Sequence, residues 1–248
     1  MKTSTNGINE WIERALKTLG LASLPTVDAS SSPFPDNASL NLRIEHTLLK
    51  PDAGEKDIKT LCAEARELET RSVCIAPKHV SRAAKNLASS DVMVVSVAGF
   101  PLGSGLKETK AYEASRAVEQ GADEVDMVAA VDMLKTGELS CIRDEVAEVV
   151  HAAGVPVKVI LETGYLSESL IVMGAVACVA GGAAFVKTST GFGPRGASVE
   201  DVHLLRAAVG PGIGIKAAGG IKTRREAMAM IEAGADLIGS SSSAAILA

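Results

Sequence analysis

Aromatic side chains are nearly missing: one Trp, two Tyr and four Phe in 248 residues. A core without them must rest on Ala, Val, Ile, Leu and Gly, which suits helices packed closely on a parallel sheet. Cysteine is scarce as well. The four present (Cys62, Cys74, Cys141 and Cys178) form no CxxC pair and have no metal-like spacing with the four histidines. That excludes a disulfide framework and points to a reduced, cytoplasmic chain. Basic charge is in deficit, since 25 Lys and Arg against 30 Asp and Glu leave −5 at pH 7. Without a basic face to neutralise phosphates along a duplex, a nucleic-acid partner is excluded. The N-terminal stretch MKTSTNGINEWIERALKTLG lacks the unbroken apolar centre of a secretory signal. The uncharged run Leu170–Val186 imitates a membrane span, but Gly181-Gly182 cuts it and its second half reads as a strand. No membrane helix is expected.

What is present is 47% hydrophobic residues, enough to bury a substantial core. A helix is predicted over Ile8–Leu19, followed by a polar connector, SSPFPDN, at Ser31–Asn37. One alternation then repeats to the end. The spacing predicts strands at Leu42–Thr47, Val73–Ala76, Val92–Ala98, Glu124–Val128, Val157–Glu162, Ala184–Thr188, Ile213–Ala217 and Leu237–Ser240. Helix patterns fall between them, near Lys56–Leu68, Lys78–Leu87, Leu106–Glu119, Ile142–Ala152, Glu168–Val179, Val199–Ala208 and Arg225–Ala233. Three junctions, EQGADEVDM, VAGGAAFVK and EAGADLIGS, repeat one device: a left-handed glycine ends a helix and an apolar strand follows. Eight such strands with no gap for a second domain predict an α/β fold, a (β/α)8 TIM barrel over residues 38–248. Residues 1–37 supply an extra N-terminal helix and the connector. A doubly wound open sheet is disfavoured, because the first strand runs into HTLLKPD rather than a Gly-rich turn.

Chemistry in such barrels collects at the C-terminal strand ends. Two neighbouring strands, the sixth and seventh, end on lysines inside apolar runs: Lys187 of FVKTSTGF and Lys216 of IKAAGG. Adjacent strands are about 4.8 Å apart, so the two amines are expected close together. Desolvation and like-charge repulsion both favour a neutral amine, which is a nucleophile for carbonyl carbon. A single such lysine would more often snorkel or pair with an acid, and Lys158 of PVKVILE is read as paired with Asp126 or Glu162. Asp126 of EVDMV can pair with a lysine or shuttle protons. AAGG after the seventh strand and GSSSS after the eighth offer backbone N–H groups, hydroxyls and a helix start at the loops where barrels hold phosphate.

Taken together, IEHTLLKPD, SVCIAPKHV, VAGFPLG, GADEVDMV, VILETGYL, FVKTSTGF, VEDVHLL and IKAAGGIKT resemble the deoxyribose-phosphate aldolases, class I aldolases, from about Leu42 to Leu247. The resemblance implies reversible cleavage of 2-deoxy-D-ribose 5-phosphate to D-glyceraldehyde 3-phosphate and acetaldehyde, with neither metal nor cofactor. It implies Lys187 as the Schiff-base lysine, Lys216 as its electrostatic partner and Asp126 as the proton donor and acceptor. Thr190, Gly191, Gly219, Gly220, Gly239, Ser241 and Ser242 match the phosphate-contacting segments, with Cys74 and Lys158 as cavity wall. The partners implied are a small sugar phosphate and further copies of the chain in a homo-oligomer, a dimer or tetramer. The chain departs from the family at Glu45, Phe192, Leu237 and Ser243, where aspartate, a phosphate-binding lysine (in some members), arginine and glycine are usual. With no charge from Phe192 or Leu237, Arg195 of GFGPRG is the nearest substitute cation. Another class I aldolase with a different aldehyde pair, or a silent sugar-phosphate-binding barrel, are the alternatives.

Overall fold

A computed structural model describes residues 5–25 and 39–248, so the connector expected at 31–37 lies outside the described residues. Eight strands close into one barrel in chain order: β1 Ile44–Leu48, β2 Ser72–Ile75, β3 Met93–Ala98, β4 Glu124–Val128, β5 Val157–Ile160, β6 Phe185–Lys187, β7 Gly214–Ala218 and β8 Leu237–Ser240. Every neighbouring pair is parallel, and β8 closes on β1 through Ile44↔Ile238 and His46↔Ser240. Each strand is crossed over by helix: α2 Glu55–Glu67, α3 Val80–Leu87, α4 Lys107–Glu119, α5 Val131–Thr136 with α6 Leu139–Ala153, α7 Glu168–Ala180, α8 Val199–Val209, α9 Arg224–Glu232 and the closing α10 Ser243–Leu247. The extra helix α1, Thr5–Leu19, buries Ala15 and Leu19 in the same apolar cluster as α6, α7 and α8.

The three junction glycines behave as their sequence context predicts. Gly121, Gly182 and Gly234 have φ of 106°, 93° and 112°, a conformation that only glycine adopts without strain. Helix α5 is a departure: six residues are too few to show an amphipathic repeat, and it ends at Gly137 with φ 78°. No helix among the described residues is long and apolar enough to cross a membrane; Leu170–Val186 divides into α7 and β6.

Strand side chains alternate between the barrel interior and the helices. On β4, Val125 and Met127 face the helix layer, where they join the main apolar cluster. Glu124 and Asp126 therefore point inward. The lower interior is closed by Phe185 and Leu237, packed together. Gly214 makes room for them: a Cβ there would lie 2.0 Å from the Phe185 ring. Leu237 is fully buried at the start of β8, so it is part of the barrel plug and not of the phosphate loops. The expectation that Leu237 withdraws charge from a phosphate site is thereby corrected.

Candidate active site

The inward positions of β1, β4, β5, β6 and β7, with Arg71 just before β2, carry one continuous ionic network. Its acids are Glu45, Glu124 and Asp126, and its bases are Arg71, Lys158, Lys187 and Lys216. Asp126 is the hub. Its Oδ2 accepts from Lys187 Nζ at 2.8 Å and Lys216 Nζ at 2.6 Å, while Oδ1 accepts from Lys158 Nζ at 3.0 Å. Register explains the meeting, since Lys187 and Lys216 are Cα partners across β6 and β7, as Asp126 and Lys158 are across β4 and β5. Lys216 also donates to Glu45. Lys158 reaches Glu45 Oε1 at 3.3 Å and Glu124 Oε2 at 2.5 Å. Arg71 closes the lower end on Glu124, at 2.9 and 2.5 Å, with Glu45 at 3.4 Å.

This geometry revises the electrostatics expected of a bare lysine pair. Burial alone would push Lys216 down, but the charges of Asp126 and Glu45 outweigh it and hold Lys216 above the ordinary lysine range. Lys158 is raised in the same way, by Asp126, Glu45 and Glu124 against the cost of burial. Burial would raise Asp126, yet the three lysines keep it well below the ordinary carboxylate value. Glu124, similarly opposed by burial, is brought down to about 2 by Arg71 and Lys158. Lys216 is thus a cation in the free protein, not a second neutral amine competing with Lys187 for a carbonyl carbon.

Lys187 stands apart. It has one acid partner where Lys216 has two and Lys158 three. It is also the network lysine that lines the upper cavity, about 220 Å³ at the C-terminal mouth of the barrel. Counted as charges, the network has four bases against three acids, so one base is left over.

Thr190, Gly191, Gly219, Gly220, Gly239 and Ser241 all line the same cavity. Ser242 does not; its N–H donates to Ser240 Oγ at 2.9 Å, and Ser240 takes its place in the wall. The loops meet closely here, since a Cβ on Gly196 would lie 2.1 Å from the Gly219 carbonyl oxygen. Helix α10 spans only five residues, so loop amides and hydroxyls rather than a helix dipole face the cavity. Two lysines from the loops after β1 and β7, Lys50 and Lys222, also line it. Arg195 does not: its guanidinium is paired with Asp201 and donates to the Thr163 carbonyl at 3.3 Å.

The two expected wall residues lie deeper. Lys158 is fully buried beneath Asp126, 5.7 Å from the Phe185 ring centroid, and does not touch Glu162. Glu162 instead turns away at φ 53° and accepts from the backbone N–H of Thr190 at 3.1 Å and from its hydroxyl. Cys74 is fully buried, packed with Val95, Val97, Leu49 and Phe100, and burial pushes its thiol up to about 11. Glu45, Cys74 and Asp126 converge closely enough to ligate a metal ion, but both carboxylates are already engaged by ammonium groups. All four cysteines are unpaired.

A deoxyribose-phosphate aldolase from Brevibacillus brevis is 50% identical over 210 residues, covering 84% of this chain and 95% of that protein. One from Aciduliprofundum boonei is 49% identical over 86% of this chain and 97% of its own. Among solved structures, a deoxyribose phosphate aldolase from Aeropyrum pernix, described as a unique tetramer, has a TM-score of 0.79 at 32% identity, covering 96% of both chains. The DeoC/LacD family aldolase domain matches residues 43–248, from the approach to β1 through α10, and the chain belongs to that family.

Proposed function

We propose that the protein cleaves 2-deoxy-D-ribose 5-phosphate reversibly to D-glyceraldehyde 3-phosphate and acetaldehyde, through a Schiff base on Lys187. The observation that carries this reading is the position of Lys187: it faces the cavity, and it is the least compensated base of a network with one base in excess. The names of the aldolase relatives support the substrate.

In the open-chain sugar, the free amine of Lys187 adds to the aldehyde carbon, and loss of water from the carbinolamine gives the protonated imine. Asp126, 2.8 Å from Lys187 Nζ, is placed to take the protons that leave the amine and the sugar's β-hydroxyl. Removing the hydroxyl proton breaks the bond between the second and third sugar carbons. The three-carbon phosphate leaves as an aldehyde and an enamine remains on Lys187. Protonation of that enamine and hydrolysis of the imine release acetaldehyde. Held low by three cations, Asp126 acts with Lys216, whose ammonium shares its Oδ2 at 2.6 Å, as a coupled donor and acceptor.

The phosphate is assigned to the far wall: backbone N–H groups around Gly219, Gly220 and Gly239, the hydroxyl of Ser241, and the cations Lys50 and Lys222. These lysines supply the charge that Phe192 cannot. A homo-oligomer is part of the proposal, supported by the tetrameric Aeropyrum pernix relative, as is a reducing, cytoplasmic setting for the free thiols. The test is a product assay. Purified protein with 2-deoxy-D-ribose 5-phosphate is expected to form both aldehydes in equal amounts, and Lys187→Ala to form neither. Turnover by Lys187→Ala, or release of only one product, would overturn the reading.

A further inference from the structure

On β1, Glu45 points into the barrel, so its neighbour His46 points out, between the strand and the helix layer. There it bridges two helices from opposite ends of the chain. His46 Nε2 lies 2.9 Å from Glu64 Oε2 on α2, and Nδ1 lies 2.8 Å from the Ser243 hydroxyl at the start of α10. His46 and Ser243 are buried, while the Glu64 side chain is half exposed. A carboxylate only accepts, so in the neutral ring Nε2 carries the hydrogen and Nδ1 accepts from Ser243.

Ser243 is the residue on which the preceding loop, Gly239–Ser242 (the last two residues of β8 and the turn after them), passes into α10. That short helix buries Ser243 and Ile246, the latter in the main apolar cluster. The loop's other anchor is Ser240 Oγ, which donates to the Ile221 carbonyl at 2.7 Å. Between these two ties stands Ser241, in the wall shared by the upper cavity and a neighbouring one of about 430 Å³ lined by His46 and Glu64.

We infer that His46 is a positioning residue: from outside the barrel, through the Ser243 hydroxyl, it holds the Gly239–Ser242 loop in the geometry that receives the substrate phosphate. The inference rests on the phosphate assignment above.

Two amides separate the two bonds of the imidazole. Asparagine places its amide one bond beyond Cγ, where Nδ1 stands, and so keeps the reach to Ser243. Glutamine places it where Nε2 stands, and keeps Glu64 instead. His46→Gln is expected to raise KM for deoxyribose 5-phosphate roughly five- to tenfold, the loss of about one hydrogen bond, with kcat within about twofold. His46→Asn is expected to stay within about twofold in both. Ser243→Ala breaks the same bond from the other side and is expected to match His46→Gln; it serves if the glutamine variant does not fold. Equal effects of Asn and Gln, no rise in KM with Gln or Ala, or a fall in kcat alone would overturn the inference. Ser241→Asp tests the underlying assignment separately, because a like charge at the wall must raise KM for the phosphorylated sugar. If it does and His46→Gln does not, only the role of His46 is lost. If Ser241→Asp leaves KM unchanged, the phosphate assignment itself falls.

Discussion

Glu124 offers a way to separate what the ionic network does for stability from what it does for chemistry. It sits at the lower end of the barrel, between Arg71 and Lys158, away from the cavity that Lys187 faces. Its carboxyl is brought from an ordinary 4.5 to about 2, and that difference corresponds to about 3 kcal/mol. Because the folded value is the lower one, the unfolded chain takes up the proton first as pH falls. The contribution is therefore complete above about pH 4.5 and is lost as pH drops toward 2. Glu124→Gln should cost about 3 kcal/mol at pH 7, which in a chain of this size is roughly 6–12 °C in Tm. The gap between the two proteins should narrow on acidification, by roughly half at pH 3, since protonation makes the parent side chain as neutral as glutamine. The assay is thermal unfolding of both from pH 7 to pH 3, with kcat measured at pH 7 on the folded variant and expected within about tenfold of the parent. A Tm gap that stays constant across this range, or is absent at pH 7, would refute the reasoning.

At the catalytic end the expectations differ. Lys216→Leu should lower kcat by about 10²–10⁴ and destabilise by about 3–5 kcal/mol, because Glu45 and Asp126 lose a buried partner. Lys216→Arg keeps the charge but cannot release a proton, so it should recover Tm without turnover; recovery of kcat to within about tenfold would contradict the proton role. Lys222→Gln and Lys50→Gln should each raise KM for the phosphorylated sugar about tenfold at low ionic strength, an effect that shrinks with added salt. Steady-state kinetics in two salt concentrations decide this, and KM values insensitive to both lysines would move the phosphate elsewhere. Gly214→Ala, whose Cβ would sit 2.0 Å from the Phe185 ring, should cost about 1–3 kcal/mol in chemical denaturation, and an unchanged midpoint would mean the plug is loosely packed.

The barrel and the positions of Lys187, Lys216 and Asp126 were legible because they depend on local signals. Short Val/Ile runs, glycine junctions and polar residues at strand ends need only a few neighbouring residues to be read. The parts that were not legible depend on partners far apart in sequence. Nothing near Arg71 shows that it meets Glu124, 53 residues on. Lys158 looks like a cavity residue because it follows the same alternation as Lys187. The register pairs it with Asp126, and full burial places it below the cavity, in a structural ion pair. Lys50 and Lys222 resemble ordinary solvated loop lysines, and only the closing of β1 on β8, itself paired with β7, brings them to one wall. Arg195 reads as available until Asp201, on the same connection, is seen to hold it.

The central claim is that Lys187 carries the substrate covalently, and the most direct measurement is borohydride reduction in the presence of 2-deoxy-D-ribose 5-phosphate or acetaldehyde, followed by peptide mass mapping. Reduction should fix the two-carbon fragment on the peptide containing FVKTSTGF, at Lys187, and abolish activity in proportion to labelling. An adduct on Lys216 or Lys158 instead, or no adduct under conditions of turnover, would contradict the account.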